Sequence, residues 1–469
     1  MDKVFRIPEL VRGICENGEP ADNAHLALTS QNLFAQVIPV VWAHVSGVSQ
    51  LLRLIDGTTY RKPNKFQLGE VILPNDLDLE MITHSRFGFY APFVTSLNIY
   101  NTGSGGLLVP QLELLAKLTF AHAPLPNLIR LKISRDWTSR KHEVLWVDIF
   151  SCSMYMLEDH LLLAMGSLPE VRHLEICFLT GKAQTFDVGH PILAPHSFPK
   201  LDRLVLFHID ESNAQSLWNI PALVTRLRSA SIGFRRPVGD QDYGICRSFI
   251  PLVCAHSPQI HNLALDFNSE GDFLGESPHI AQFTEDAFSA ITSLSLTQLE
   301  VRHACVSISP GPLVTSWPHL EVFRWPHQRV ELSDLSLFAK HLPKLKHLAL
   351  DINIQPSFGG LCPQVQSTKV SRHQLRTLES HFARLGELND EAASQLYRYL
   401  RTLVPYAKLK LPHLFYTVLT DDQKLDENCV IAINHMERFV QKYNLSKNTD
   451  TQKSVCAVWN MVHQESKNS

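Results

Sequence analysis

The chain has 469 residues, enough at roughly 150 per domain for about three domains or for one long repeat array, and its 45% hydrophobic content can bury a large core. Lysine plus arginine (43) nearly balances aspartate plus glutamate (46), giving a formal charge of -3, so no domain-wide basic field points to nucleic acid as a partner. Charged residues make up only 19% and leucine alone contributes 66 residues, a composition that excludes an intrinsically disordered chain.

Met1 leads into Asp2-Lys3-Val4-Phe5-Arg6 with no long apolar stretch, and nowhere do 18 apolar residues run together. The expectation is a protein of the cytoplasm and/or nucleus with no membrane partner. Ile7-Pro8-Glu9-Leu10-Val11 then opens a first helix with proline at a favourable first position. Ile7, Leu10, Val11 and Ile14 share one face at helical spacing, and Asn17-Gly18 ends the element. A second amphipathic stretch follows Pro20, with Asp22 or Asn23 as its cap and Leu26, Ala27 and Leu28 as its apolar part. A third carries Leu33, Phe34, Val37, Val40, Val41 and Trp42.

Beyond these helices one phrase recurs: Pro, any residue, an apolar residue, any two residues, Leu, any residue, then Ile or Leu. It stands as Pro92-Phe-Val-Thr-Ser-Leu97-Asn-Ile99, Pro126-Asn-Leu-Ile-Arg-Leu131-Lys-Ile133, Pro169-Glu-Val-Arg-His-Leu174-Glu-Ile176 and Pro199-Lys-Leu-Asp-Arg-Leu204-Val-Leu206. It returns as Pro258-Gln-Ile-His-Asn-Leu263-Ala-Leu265, Pro318-His-Leu-Glu-Val-Phe323-Arg-Trp325 and Pro343-Lys-Leu-Lys-His-Leu348-Ala-Leu350. Degenerate copies centre on Ala230, Leu299 and Leu378, so ten central positions from 97 to 378 recur at a mean of about 31 residues. Each phrase ends in a period-two alternation, the mark of a short strand with one buried face. Helical stretches such as 158–168, 248–256 and 335–342 precede several of the prolines, and proline cannot continue the helix and biases the residue before it towards extended conformations. Helix, proline corner, strand is the repeating unit.

One such unit cannot bury its own apolar face, so the units must stack. The phrase is similar to that of leucine-rich repeats over roughly residues 90–385. The resemblance implies an α/β fold, a horseshoe with a parallel sheet inside and helices outside. The segment 56–388 is assigned to this solenoid. Residues 389–404 and 427–443 read as further helices, so 389–469 is assigned as a C-terminal helical cap with a polar tail.

Strand positions flanking each central residue form the inner, concave face of such a horseshoe. Over the ten units they hold five basic and five acidic side chains, with Tyr, Phe and His interspersed. That mixture fits a protein partner better than a phosphate backbone, which favours a stripe of one sign. The candidate substrate-binding residues are Tyr100, Arg130, Lys132, His173, Arg203, Phe207, Arg302 and Arg324. The Arg130/Lys132 end is the most basic part and suits an acidic or phosphorylated segment.

Three short helices ahead of such an array resemble the F-box, and the matching residues are Ile7-Pro8-Glu9-Leu10, the Leu26-Ala27-Leu28-Thr29-Ser30 centre, Phe34 and the closing Val41-Trp42. Residues 42–55, ending in Gln50-Leu-Leu-Arg-Leu-Ile55, are similar to the extension seen in fungal F-box/leucine-rich-repeat proteins. The resemblance implies that 1–55 is an F-box-like module docking on the SCF adaptor, and through it on the cullin scaffold. Ile7, Pro8, Leu10, Val11, Leu26, Leu28, Phe34, Val41 and Trp42 would serve as adaptor-binding residues. The chain would then be the substrate receptor of a ubiquitin ligase, with an unnamed protein substrate on the repeats. The alternative is a leucine-rich interaction scaffold whose N-terminal helices merely cap the array and which never enters a ligase.

No catalytic constellation is expected. Nine cysteines never stand closer than eight residues apart, so no Cys-x-x-Cys pair exists and reduced, mostly buried thiols are expected. Gly103-Ser-Gly105-Gly106 lacks both the Rossmann third glycine and a Gly-Lys-Ser/Thr ending. No Gly-x-Ser-x-Gly elbow or His-Glu-x-x-His pair occurs. The reading is of a non-enzyme with no cofactor and no metal.

Overall fold

The structure is a computed structural model that describes residues 7–61, 69–98, 107–108, 125–133, 162, 165–177, 193–235, 247–267, 280–353, 374–380, 395–396, 399–400, 402–404 and 407–410. The chain divides into two compact units, one of residues 1–231 with 255–259 and the other of residues 232–254 with 260–469.

The first unit begins with α1 (Pro8–Asn17), α2 (Pro20–Ala27) and α3 (Gln31–Ala43). Proline opens α1 and α2, where the missing N–H costs nothing. Ser30 caps α3, its hydroxyl accepting from the Leu33 N–H at 3.2 Å. The cap expected at Asp22 or Asn23 is not there, because α2 starts earlier, at Pro20. Asn23 is instead buried and donates its amide to the Cys15 carbonyl at 2.8 Å, tying α2 to α1. Val11, Cys15, Ala27, Leu33 and Val37 form the core of this helical layer, with Leu26, Phe34, Val40 and Val41 packed against it.

Strands β1 (His44–Ser46), β2 (Thr59–Arg61), β3 (Gly69–Ile72), β4 (Ser96–Asn98), β5 (Leu107–Leu108), β6 (Arg130–Ile133), β7 (His173–Cys177) and β8 (Arg203–Ile209) follow. A parallel sheet runs β1-β4-β6-β7-β8, with β2, β3 and β5 in a small sheet of their own. Its register places Val45, Leu97, Leu131, Leu174 and Leu204 in one row. All five are at most 5% exposed. Strand β9 (Ser229–Phe234) has residues in both units.

The second unit holds β10 (Asn262–Asp266), β11 (Ala281–Phe283), β12 (Gln298–Arg302), β13 (Ala304–Val306), β14 (Val322–Glu331), β15 (His347–Asn353), β16 (Thr377–Glu379) and β17 (Lys408–Lys410). Here the parallel order is β10-β12-β14-β15-β16-β17, with β11 and β13 paired separately. Leu263, Leu299, Phe323, Leu348, Leu378 and Leu409 share the buried row. Nine of the ten central positions read from the sequence therefore fall in register, four in one unit and five in the other; the tenth, Ala230, is buried in β9. One leucine-type residue per strand in register, each strand parallel to the last, is leucine-rich-repeat-type architecture.

The recurrent proline has a more specific role than ending a helix. In five copies it is the second residue of a tight turn closed by the N–H of the motif's apolar residue: Val94 to Ala91, Leu128 to Leu125, Leu201 to Phe198, Leu320 to Trp317 and Leu345 to Leu342, at 3.0–3.3 Å. Proline pre-sets the φ that this turn position requires. The apolar residue that closes the turn is buried in every copy. A backbone ladder then joins the rungs. On most rungs the carbonyl two residues before the central residue accepts two N–H groups of the next rung, as Thr95 accepts from Ile129 and Arg130 and Ile129 from Arg172 and His173. In the second unit Thr297 accepts from Glu321 and Val322, and Glu321 from Lys346 and His347. These strand-edge amides are thus satisfied without help from side chains.

The two cores differ in composition. The buried rows of the first unit are aliphatic, whereas the second unit contains a chain of rings, Phe249–Phe234–Phe267–Phe283–Trp325–Phe323–Phe338, with successive centroids 5.4–6.3 Å apart. Trp325 also donates to the Ala304 carbonyl at 2.7 Å. Past Trp325 the register with β15 slips until Arg329. Within the slip, Gln328 is buried and accepts from the Val306 N–H at 2.9 Å.

At the ends, the array extends further than the phrase predicts. β1 lies within the segment assigned to the helical module, and β17 lies within the segment assigned to the cap. Leu396, Tyr399, Leu400, Leu403 and Val404 are buried ahead of β17, with the Tyr399 hydroxyl donating to the Leu332 carbonyl at 3.3 Å. The expected helix 427–443, the Gly103–Gly106 stretch and Tyr100 lie outside the described residues.

Candidate interaction surfaces

Two surfaces carry the side chains singled out in the sequence. On α1, the apolar residues divide between two faces, because at 100° per residue Val11 and Cys15 point one way and Ile7, Leu10 and Ile14 another. Val11 (0% exposed) belongs to the helical core, while Ile7, Leu10 and Ile14 are 44–47% exposed and Leu28, just past α2, is 79% exposed. The expectation of one shared face is corrected accordingly: the inward stripe is completed by Cys15. Pro8 is exposed at the start of the same helix.

The remaining residues of this group face inward or sideways. Leu26 and Val41 are half-buried against the helical core. Phe34 stacks on Phe89 at 6.3 Å, and Trp42 stacks on Tyr90 at 4.6 Å. Phe89 and Tyr90 belong to the short helix Arg86–Tyr90 ahead of β4, so Phe34 and Trp42 fasten the helical layer to the start of the repeats. This helix requires glycine at 88, where a Cβ would come within 2.1 Å of the Thr83 carbonyl oxygen. Phe89 itself is 53% exposed, and within the aromatic run Phe87-Gly88-Phe89-Tyr90 no sequence signal marks which ring is left outside.

The second surface is the face of each sheet opposite the buried leucine row. In the first unit, Arg130, His173 and Arg203 occupy equivalent positions on three successive strands, and Lys132, Glu175 and Val205 form the next row. Lys132 pairs with Glu175 at 2.7 Å. Arg130 and Arg203 are exposed and form no ion pair among the described residues. The His173 ring is half-buried, and its Nε2 is buried with no hydrogen-bond partner there. Burial, then Arg203, then Arg130 hold the His173 pKa below its ordinary value against the opposing pull of Glu175 and Asp202. The neutral form of His173 is thereby favoured. Val205 is buried, but Phe207, two residues on, is 36% exposed beside Cys177.

The second unit's face compensates its own charges. Glu300 pairs with Arg302 at 2.6 Å and with Arg324 at 3.5 Å, and Arg324 also reaches Glu379 at 3.4 Å. Arg329 pairs with Asp351 at 3.1 Å. His347 is likewise held below its ordinary pKa by burial, then by Lys410, Arg376, Arg324 and Lys346. Arg302 and Arg324, candidates on the same footing as Arg130 and Arg203 in the sequence, are therefore already engaged, and they lie in the other unit.

Among the described residues no group of three His, Cys, Asp or Glu side chains is arranged to hold a metal ion, and no helix is long and apolar enough to cross a membrane. Cys15 and Cys254 are buried free thiols, and burial pushes Cys254 up to about 12.

No protein-family model matches the chain. No curated protein matches it either. Among solved structures, an internalin (inlF) from Listeria monocytogenes is similar over 71% of this chain and 76% of its own, at 13% identity and a TM-score of 0.31. The repeat architecture rests on the register of this chain's own strands.

Proposed function

We propose that this protein is a non-catalytic interaction protein in which the N-terminal helical layer docks one protein and the sheet face of the repeats receives another. In the fuller form of this reading, the docked protein is the SCF adaptor and the chain is the substrate receptor of a ubiquitin ligase. The observation that supports it is the pattern on α1 and α2. The helical layer completes its own core with Val11, Cys15, Ala27, Leu33 and Val37, yet it keeps Ile7, Leu10, Ile14 and Leu28 in solvent. Exposed apolar side chains at i, i+3 and i+7 of one helix are the anchors of helix-in-groove recognition.

The test is co-expression of the full chain with the SCF adaptor, beside a Leu10→Asp/Leu28→Asp double variant. Both positions are exposed, so circular dichroism of the variant should match the wild type. Co-purification that the variant loses by at least tenfold is the expected result. A well-folded wild type that forms no complex would remove the ligase assignment and leave a leucine-rich interaction scaffold.

A further inference from the structure

We propose that the sheet face of the first unit binds a phosphorylated segment of a partner protein, with the phosphate held between Arg130 and Arg203 above His173. The proposal rests on reading that face as a protein-binding surface. It is independent of what the N-terminal helices dock.

Register places the three side chains side by side, Arg130 opposite His173 and His173 opposite Arg203. Neighbouring strands are about 4.8 Å apart, so the two arginine Cα atoms stand about 10 Å apart with the imidazole midway. Arginine side chains are long enough at that span for both guanidiniums to turn onto a single tetrahedral anion. Glu175, the carboxylate nearest in the lattice of rows, is committed to Lys132 at 2.7 Å. Asp202 stands beside Arg203 in the chain but moves His173 less than either arginine does. The row thus presents two planar forks, standing on either side of a half-buried imidazole. A phosphate monoester supplies three terminal oxygens and nearly two charges, enough for two bidentate arginines at once. A single carboxylate has two oxygens and satisfies one fork.

The surroundings select a protein over a nucleic acid. A polynucleotide needs a run of cations along its backbone, whereas the next rung outward from Arg130 carries Ser96 and Asn98. On the other side, β8 offers the exposed Phe207 four residues beyond Arg203, on the same face, as an apolar contact for the flanking residues of a peptide.

The experiment uses the full chain labelled at histidine Cε1. The His173 resonance is followed by NMR while a degenerate decapeptide library fixed at a central phosphoserine is added, with the same library carrying serine, inorganic phosphate and a single-stranded oligothymidylate as separate arms. Expected results are a saturable shift of His173 with the phosphoserine library, at least tenfold weaker binding of the serine library, and at least a tenfold loss in Arg130→Ala/Arg203→Ala. Arg130→Lys/Arg203→Lys should lose binding despite keeping the charge, and Arg302→Ala/Arg324→Ala should stay within twofold of the wild type. Equal binding of the two peptide libraries, or binding indifferent to Arg130 and Arg203, would overturn the proposal. Inorganic phosphate or oligothymidylate binding as tightly as the phosphoserine library would overturn it in favour of a free-anion or nucleic-acid site. Because the arginine variants leave α1 and α2 untouched, adaptor co-purification by the same variants separates failure here from failure of the ligase reading.

Discussion

The two units build the same rung in different ways. In the first, an aliphatic row backs a face whose arginines Arg130 and Arg203 flank a half-buried histidine. In the second, an aromatic chain backs a face on which Arg302, Arg324 and Arg329 are all bridged by carboxylates. Backbone register, turn geometry and the carbonyl ladder are common to both. The lesson is that the rung is set by the proline turn and the central leucine, which leaves the remaining core positions and the open face free to diverge. A face that neutralises itself is stabilised by its own pairs, whereas one that does not is available to a charged partner.

The largest effect should come from the cores. Phe323 touches Trp317, Trp325 and Phe338, so Phe323→Ala should cost about 3–5 kcal/mol, against about 2–5 kcal/mol for Leu174→Ala in the aliphatic row. Urea unfolding followed by tryptophan fluorescence measures both, and a loss below about 2 kcal/mol at either position would show that its row is not a packed core.

Smaller effects separate the faces. Arg324→Ala leaves Glu300 and Glu379 without their shared cation; its cost should be at most about 1 kcal/mol, shrinking as salt is raised. Arg130→Ala, which breaks no ion pair among the described residues, should stay within about 0.5 kcal/mol of wild type. A salt-dependent loss at Arg130 would show that the first face is paired after all.

The finest probe is the titration of His173, read from its ring resonances. Arg203→Ala should raise its pKa, and Arg130→Ala should do so by less. Because the folded value lies below the unfolded value of about 6.5, the unfolded chain binds the proton first as pH falls. Stability is therefore full above about pH 6.5 and is lost on acidification towards the folded pKa. Arg203→Ala should reduce that loss. His347 should show the same sign in the second unit, with Lys410 as the largest charged contributor.

Much of the array was legible because its rule is local. The proline turn and the alternating strand lie within eight residues, so neither depends on distant chain, and the central positions from Leu97 to Leu378 could be read directly. The rungs at the two ends escaped notice because they depart from the phrase. β1 follows α3 without a proline turn, and Pro405 stands four rather than five residues before Leu409.

Burial within the helical layer was only half legible. Helical spacing groups Leu10 with Val11, and only the position of α3 decides that Val11 is covered and Leu10 is not. The same holds for charge. Arg130, Arg203, Arg302 and Arg324 all stand at alternate, outward-facing strand positions, but pairing is decided by lateral neighbours far along the chain, such as Glu300 and Glu379 on either side of Arg324. The sequence by itself determined which residues form the inner rungs, from Leu97 to Leu378, since turn chemistry and period-two burial act over a few residues. Which arginines remain open to a partner was decided only by tertiary structure, since stacking strands sets side by side residues that the chain keeps tens of positions apart.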